Sequence, residues 1–355
     1  MRILLLGEFS GLHKNLQVGL RSAGHHVDLV SSGDGFKAIH GDIAPPRLSR
    51  YRALGKLKFR YDYYNFLKQL TGYDVVQLIH VNALIGKWFP YSIALSYLKK
   101  NNGKVFLLAA GSDAFYWQRS RPLLSYGPFE DALKYDIKTA ESPFNSNKAL
   151  LFNEYIAKNV DGVIPIAYEY TLGYKNLPNI KETIPLPIDV QNIKFQPNTK
   201  REKIIVFHGL NRYGFKGTRH VEAAFNSLNI TMSNQLDCQI KGGLPLNDYL
   251  NILQESNVVI DQVNSYSYGM NAIYAAAMGK IVLSGAEPEC LNELQVENCP
   301  IVNVKPDPND IEEKVLQVLD GVTDLRSWSE MSRSYVERFH CCNKVAETYI
   351  NTWLI

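Results

Sequence analysis

One pattern is written twice along this chain, and it limits the fold more than any other feature. Ile3–Leu6 is a short apolar run ending in Gly7, and the turn-like Glu8-Phe9-Ser10-Gly11 follows it. Leu12 to Ala23 then keeps a helical period, with Gly24 placed to end the helix, and Val27–Val30 is a second short strand closed by Ser31-Ser32-Gly33. Strand, loop, helix, strand is the opening unit of a doubly wound parallel sheet. Asp74–His80, Lys104–Ala110 and Asp161–Ala167 continue it as unbroken apolar runs, as expected of strands buried on both faces, with a helix around Tyr91–Lys100 between the first two.

Between Ile184 and Arg201 the periodicity stops, and Pro185, Pro187 and Pro197 punctuate a polar stretch. The pattern then restarts. Lys203–Phe207 reads as a strand, His208–Gly217 as a loop, and Thr218–Leu228 as a helix with Thr218 as its N-cap. Strands at Asp237–Lys241, Val258–Val263, Ile281–Ser284 and Ile301–Val304 follow. The expected fold is α/β, with two Rossmann-like domains facing across a cleft: residues 1–184, a linker over 185–201, and residues 202–335. Residues 336–355 are expected to form a C-terminal helix that packs back on the first domain. A chain of 355 residues suits two cores of ordinary size.

Composition narrows the function classes. Net charge is only +3, but it is unevenly placed. Residues 1–190 carry 23 Lys and Arg against 16 Asp and Glu, and the remainder carries 15 against 19. The first half therefore suits an anionic partner and the second does not. Five cysteines, Cys238, Cys290, Cys299, Cys341 and Cys342, show no CxxC spacing, which argues against a disulfide framework or structural zinc and for a reducing, cytoplasmic setting. The apolar start is too short for a signal peptide, and no apolar run approaches the roughly 20 residues that span a bilayer.

The segment richest in chemistry is His208-Gly209-Leu210-Asn211-Arg212-Tyr213-Gly214-Phe215-Lys216-Gly217-Thr218. It joins a buried strand to a helix, where backbone N–H groups favour an anion. Arg212 supplies a forked donor and Lys216 a mobile point charge, a pair suited to a diphosphate. Two solvated surface cations are the bland alternative, and the strand-to-helix context favours the anion site. Gly269, Met270 and Asn271 open a second helix, Asn271–Met278, again after a strand. Tyr266 and Tyr268 precede it and suit stacking on, or hydrogen bonding to, a sugar or nucleotide. Helix packing explains Ala272, Ala275, Ala276 and Ala277 equally well.

These residues resemble the C-terminal domain of group 1 glycosyltransferases, the retaining GT-B enzymes of bacterial surface-polysaccharide pathways. The resemblance rests on His-Gly-x-x-Arg-x-x-x-Lys-Gly-Thr from His208, Tyr-Gly-Met-Asn-Ala-Ile from Tyr268, and Met-Gly-Lys-Ile-Val-Leu-Ser-Gly from Met278. It implies that Arg212 and Lys216 hold the donor diphosphate, and that Gly269, Met270 and Asn271, with Gly209, Tyr268 and Tyr274 nearby, contact donor sugar and phosphate. It also implies a glycan or lipid-linked acceptor on the side of the first domain and retention of anomeric configuration. No cofactor is expected beyond the nucleotide-diphosphate sugar itself, and no metal, because fixed cations take its place and no Asp-x-Asp is present. One departure stands out: aligned on the glycine, the family's Glu-x7-Glu positions hold Tyr266 and Tyr274. Glu287 and Glu289 are candidates to compensate, or else solvated loop acids.

In the first half, Asp113 follows a strand at the carboxyl edge of the sheet, where it would orient sugar hydroxyls or cap a helix. Gly7 and Gly11 would let the backbone approach the donor, and His13 reads as cleft-lining or surface. Base recognition is expected near Lys241-Gly242-Gly243. The stretch Arg47, Arg50, Arg52, Lys56, Lys58, Arg60 and Lys68, interleaved with Tyr51, Phe59, Tyr61, Tyr63, Tyr64 and Phe66, suits an anionic inner-membrane surface or a lipid-diphosphate acceptor, or a solvated helical face over an aromatic core stripe. Nucleic acid is not expected, since no binding module accompanies the charge. The competing functional readings are a catalytically silent nucleotide-sugar-binding homologue and a nucleotide-sugar epimerase or phosphorylase; a phosphorylase motif is not evident.

Overall fold

A computed structural model of the chain describes residues 1–46, 55–84, 88–199, 202–244, 246–321 and 324–355. The chain divides into two compact units, the first built from Met1–Tyr116, Ser146–Asp189 and Cys342–Ile355, the second from Trp117–Asn145 and Val190–Cys341. Each is a Rossmann-like α/β unit around its own parallel sheet.

In the first unit the strands are β1 (Arg2–Leu6), β2 (His26–Val30), the small antiparallel pair β3 (Ser32–Gly33) and β4 (Ile39–His40), then β5 (Val75–Leu78), β6 (Lys104–Ala109) and β7 (Gly162–Pro165). The main sheet runs β2-β1-β5-β6-β7, and every neighbouring pair is parallel. Ile3, Leu4 and Leu5 of β1 are fully buried, because helices cover both faces and leave no side that a polar residue could occupy. The helices are α1 (Leu12–Ser22), α2 (Gly55–Gln69), α3 (Tyr91–Asn101), α5 (Asn147–Asn159), α6 (Tyr168–Tyr174) and α14 (Cys342–Leu354). On α1, Gly19 lets α14 come close: a Cβ there would lie 2.1 Å from the Cys342 carbonyl oxygen. Trp353 of α14 donates its indole N–H to Gln77 Oε1 at 3.1 Å inside the core.

The second unit repeats the plan with β8 (Ile204–Leu210), β9 (Leu236–Gly242), β10 (Val258–Ile260), β11 (Ile281–Ser284) and β12 (Val302–Asn303), in the parallel order β12-β11-β10-β8-β9. Its helices are α4 (Phe129–Asp131), α7 (Tyr213–Lys216), α8 (Thr218–Thr231), α9 (Leu246–Glu255), α10 (Met270–Ala277), α11 (Pro288–Glu293), α12 (Pro308–Asp320) and α13 (Leu325–Phe339). Val206, Val258, Ile260, Ile281 and Leu283 form the centre of its core with Val221, Ala224 and Phe225 of α8.

Three details differ from the sequence reading. Residues 117–145, placed by sequence in the first domain, cluster with the second unit, because Asp136 accepts hydrogen bonds from the Gly214 and Phe215 amides (3.2 and 2.8 Å) and Asp131 accepts from Arg219 Nε at 2.8 Å. The return to the first unit begins at Cys342 rather than at residue 336, since α13 stays with the second unit up to Phe339. The loop expected over 208–217 is a strand to Leu210 followed by the short helix α7, and α8 is capped by left-handed Gly217 (φ 72°) rather than by Thr218.

Candidate functional site

In an open parallel sheet, ligands bind beyond the carboxyl ends of the strands where the strand order reverses. In the second unit that point lies between β8 and β10, which are sequence-distant neighbours flanked by β9 and β11. The sequence places Gly209 and Leu210 at the end of β8 and Asp261 immediately after β10, so the reversal gathers them together with Lys216. Lys216 is buried, and its Nζ donates to Asp261 Oδ1 at 2.8 Å and to the Gly209 carbonyl at 3.0 Å. Asp261 is only 2% exposed.

His208 holds this corner in place. Its Nδ1 lies 2.9 Å from the Ile260 carbonyl and its Nε2 2.9 Å from Thr218 Oγ1. Burial, assisted by the Lys216 charge, pushes its pKa down to about 4. The ring is therefore neutral, with Nδ1–H donating to the carbonyl and Nε2 accepting from the threonine. It ties β8 to β10 and to the start of α8.

Arg212 stands apart from the buried pair. It is exposed, with its guanidinium carbon 3.9 Å from the centre of the Phe215 ring. On the next strand–helix connection, Gly269 caps α10, and the amides of Met270, Asn271 and Ala272 precede the first intrahelical bond, from Ile273 N–H to the Gly269 carbonyl. Asn271 and Tyr274 are half-buried on α10, and Met270 is buried. Gly269 lies close to Asp261, as a Cβ on it would sit 3.6 Å from Asp261 Oδ2. Thus Lys216, Gly209 and Gly269 share one corner through Asp261, which closes the stretch Val258–Asp261 and to which the sequence alone assigns no role. The available signal was a charged residue directly at the end of an apolar strand.

The other expected donor contacts are arranged differently. Tyr268 is a core residue: its hydroxyl is 2.5 Å from the Tyr335 hydroxyl and 3.2 Å from His340 Nε2, so its polar end is used internally. Tyr266, at one of the two missing glutamate positions, stacks on Tyr126 (centroids 4.7 Å apart), and its hydroxyl accepts the Ser125 N–H at 3.0 Å. Glu287 is buried and accepts from the Tyr126 hydroxyl at 2.7 Å, whereas Glu289 is exposed. Lys241, Gly242 and Gly243 are exposed at the end of β9.

In the first unit the order reverses between β1 and β5, which places Gly7–Gly11 and His80 at the reversal. Gly11 has φ 88°, but its N–H donates to Glu8 Oε1 at 2.7 Å and the Lys14 N–H donates to Glu8 Oε2 at 2.8 Å. The chain's own carboxylate thus fills the N-terminus of α1. Burial raises the Glu8 pKa to about 7 against the lowering effect of these amides. His13, expected at a cleft or surface, is fully buried. Its Nδ1 lies 2.8 Å from the Gly7 carbonyl, and desolvation pushes its pKa down to about 3. Asp113 takes the capping role: Oδ1 accepts the Tyr116 N–H at 2.8 Å and Oδ2 accepts from the Tyr174 hydroxyl.

Of the basic aromatic stretch, Arg47, Arg50, Tyr51 and Arg52 lie outside the described residues. On α2, Phe59, Tyr63, Phe66 and Leu67 are buried at helical spacing and form a core stripe. Lys56, Lys58, Arg60, Tyr61, Tyr64 and Lys68 are exposed. Among the described residues, no helix is long and apolar enough to cross a membrane.

With this geometry in view, the fold can be matched to known ones. The chain is similar to sucrose-phosphate synthase from Thermosynechococcus elongatus (14% identity, TM-score 0.61, covering 99% of this chain and 98% of that one). It is similar to Anabaena HepE, solved in complex with UDP and glucose (10% identity, TM-score 0.64, 99% of each chain). A glycosyltransferase from Rickettsia africae is a further match (14% identity, TM-score 0.61, 99% and 97%). The fold is that of the GT-B glycosyltransferases. No protein-family model matches the sequence, and no curated protein matches it. At these identities the likeness concerns the fold, and activity has to be argued from the site.

Proposed function

We propose that this chain is a glycosyltransferase that takes a sugar from a nucleotide-diphosphate donor, and that the donor diphosphate binds at the β8/β10 reversal of the second unit. The observation that carries this reading is the convergence of Lys216, Gly209, Asp261 and the α10 N-terminus at the one point of that sheet where a ligand is expected. Similarity of fold to HepE, a structure solved with UDP and with UDP-glucose, supports the same reading.

The chemistry follows from charge. As the glycosidic bond to the diphosphate breaks, negative charge grows on the leaving oxygen, and groups aimed there in advance lower the barrier. The amides of Met270, Asn271 and Ala272 supply fixed dipoles at the start of α10. Arg212 is the mobile cation, since its guanidinium is exposed and, among the described residues, pairs with no carboxylate. Lys216 is already paired with Asp261, so it shapes the corner and lends only part of its charge. Its role here is therefore narrower than that of an open phosphate-binding lysine.

The reaction proposed is a retaining, metal-independent hexosyl transfer in polysaccharide or lipopolysaccharide synthesis, onto a glycan or lipid-linked acceptor, in the cytoplasm at the inner-membrane face. The exposed Lys56, Lys58, Arg60 and Lys68 with Tyr61 and Tyr64 on α2 support the membrane or lipid-diphosphate part. A thermal-shift screen against uridine, guanosine and adenosine diphosphates and their sugars tests the donor part. Ligand at tenfold to hundredfold above Kd should stabilise the protein by roughly 1.4–2.7 kcal/mol. No shift with any nucleotide would refute it.

A further inference from the structure

Asp261 carries more than its ion pair. Only Oδ1 meets Lys216, and among the described residues no hydrogen bond reaches Oδ2, although the residue is 2% exposed. That oxygen points toward Gly269, lying 3.6 Å from where a Cβ on the glycine would be. A second acceptor converges there: Gln262 Oε1 is 3.3 Å from the same point. The Gln262 amide is fixed in this sense, because its Nε2 donates to the Ser267 carbonyl at 2.7 Å. Gly269 is half-buried rather than covered, so the space before it is reachable.

Two acceptors without donors among the described residues, one of them on a side chain almost wholly removed from solvent, suit a ligand that brings hydroxyls. A phosphate oxygen in direct contact with these two bare oxygens is disfavoured, so the diphosphate has to meet the α10 amides from their other side. A neutral polyol is not disfavoured, since Lys216 balances the carboxylate and no net charge has to be buried with it. We propose that Asp261 and Gln262 bind two hydroxyls of the donor sugar, making them specificity-determining residues of the transfer. This rests on the proposed donor site, and it splits that site: the α10 amides and Arg212 take the diphosphate, while Asp261 Oδ2 and Gln262 Oε1 take the sugar.

Calorimetric titration with UDP and UDP-glucose, or with whichever nucleotide and nucleotide sugar of the panel bind, separates the two halves. Asp261→Asn keeps an oxygen for Lys216 and replaces the free acceptor. It should weaken nucleotide-sugar binding tenfold to a hundredfold while leaving the nucleotide within about threefold. Equal losses for both ligands would mean that Asp261 acts only through Lys216, and would overturn the inference. Wild-type protein with a series of monodeoxy nucleotide sugars gives a second test that needs no folded variant. At least one deoxy analogue should lose as much affinity as Asp261→Asn does, and uniform binding across the series would overturn the inference. If the wild type binds no nucleotide at all, the donor site itself fails, an outcome distinct from both.

Discussion

Lys216 Nζ sits 2.8 Å from Asp261 Oδ1, and both side chains are almost wholly removed from solvent. Desolvating two ions costs several kcal/mol each, so the pair is held by its geometry and by the added bond from Nζ to Gly209. Breaking it from one side strands a buried charge. Lys216→Met should therefore destabilise the second unit by about 3–5 kcal/mol, and Lys216→Met combined with Asp261→Leu should recover part of that loss. Urea unfolding of the wild type and the two variants checks this.

Arg212 should behave in the opposite way. It is exposed, and its contact with Phe215 is worth about 0.5–1 kcal/mol at such a site. Arg212→Ala should leave the unfolding midpoint nearly unchanged and lower turnover by roughly 10²–10³. Comparable losses in stability and in activity would mark it as a structural residue.

The first unit carries a pH dependence at Glu8. Its folded pKa is raised to about 7 from an ordinary 4.5, mainly by burial. Stability from the protonated form is fully present below about pH 4.5 and is lost as pH rises through 7. The shift is worth at most about 3 kcal/mol. Glu8→Gln should flatten the stability profile between pH 5 and 8, as followed by thermal unfolding across that range.

Asp136 anchors the 117–145 segment to the second unit through the Gly214 and Phe215 amides. Asp136→Ala leaves those amides without their acceptor and should cost about 1–3 kcal/mol. Limited proteolysis should show faster cutting within 117–145, and an unchanged digestion pattern would count against the anchor.

The strands of both sheets were readable because parallel strands buried on two faces are continuous apolar runs, as at Ile3–Leu6 and Val258–Ile260. Residues 117–145 were not, since their attachment depends on one carboxylate, Asp136, meeting backbone amides nearly 80 positions away, which leaves no periodic trace. The site was half legible. Gly209, Lys216 and Gly269 can be singled out from strand–loop–helix context, but the contact of Asp261 with Lys216 appears only once β8 and β10 are side by side. Tyr268 misled for a related reason. A tyrosine beside a glycine suggests a ligand, yet its hydroxyl partners Tyr335 and His340 are 67 and 72 residues further along.

Turnover is the decisive property of the proposed transferase. Purified protein incubated with a panel of nucleotide sugars should release nucleoside diphosphate from one of them, slowly to water and faster with a glycan or lipid-linked acceptor, and Arg212→Ala should abolish nearly all of it. Wild-type protein that binds nucleotide sugars yet neither transfers nor hydrolyses them would rule out the transferase and leave a silent binding homologue.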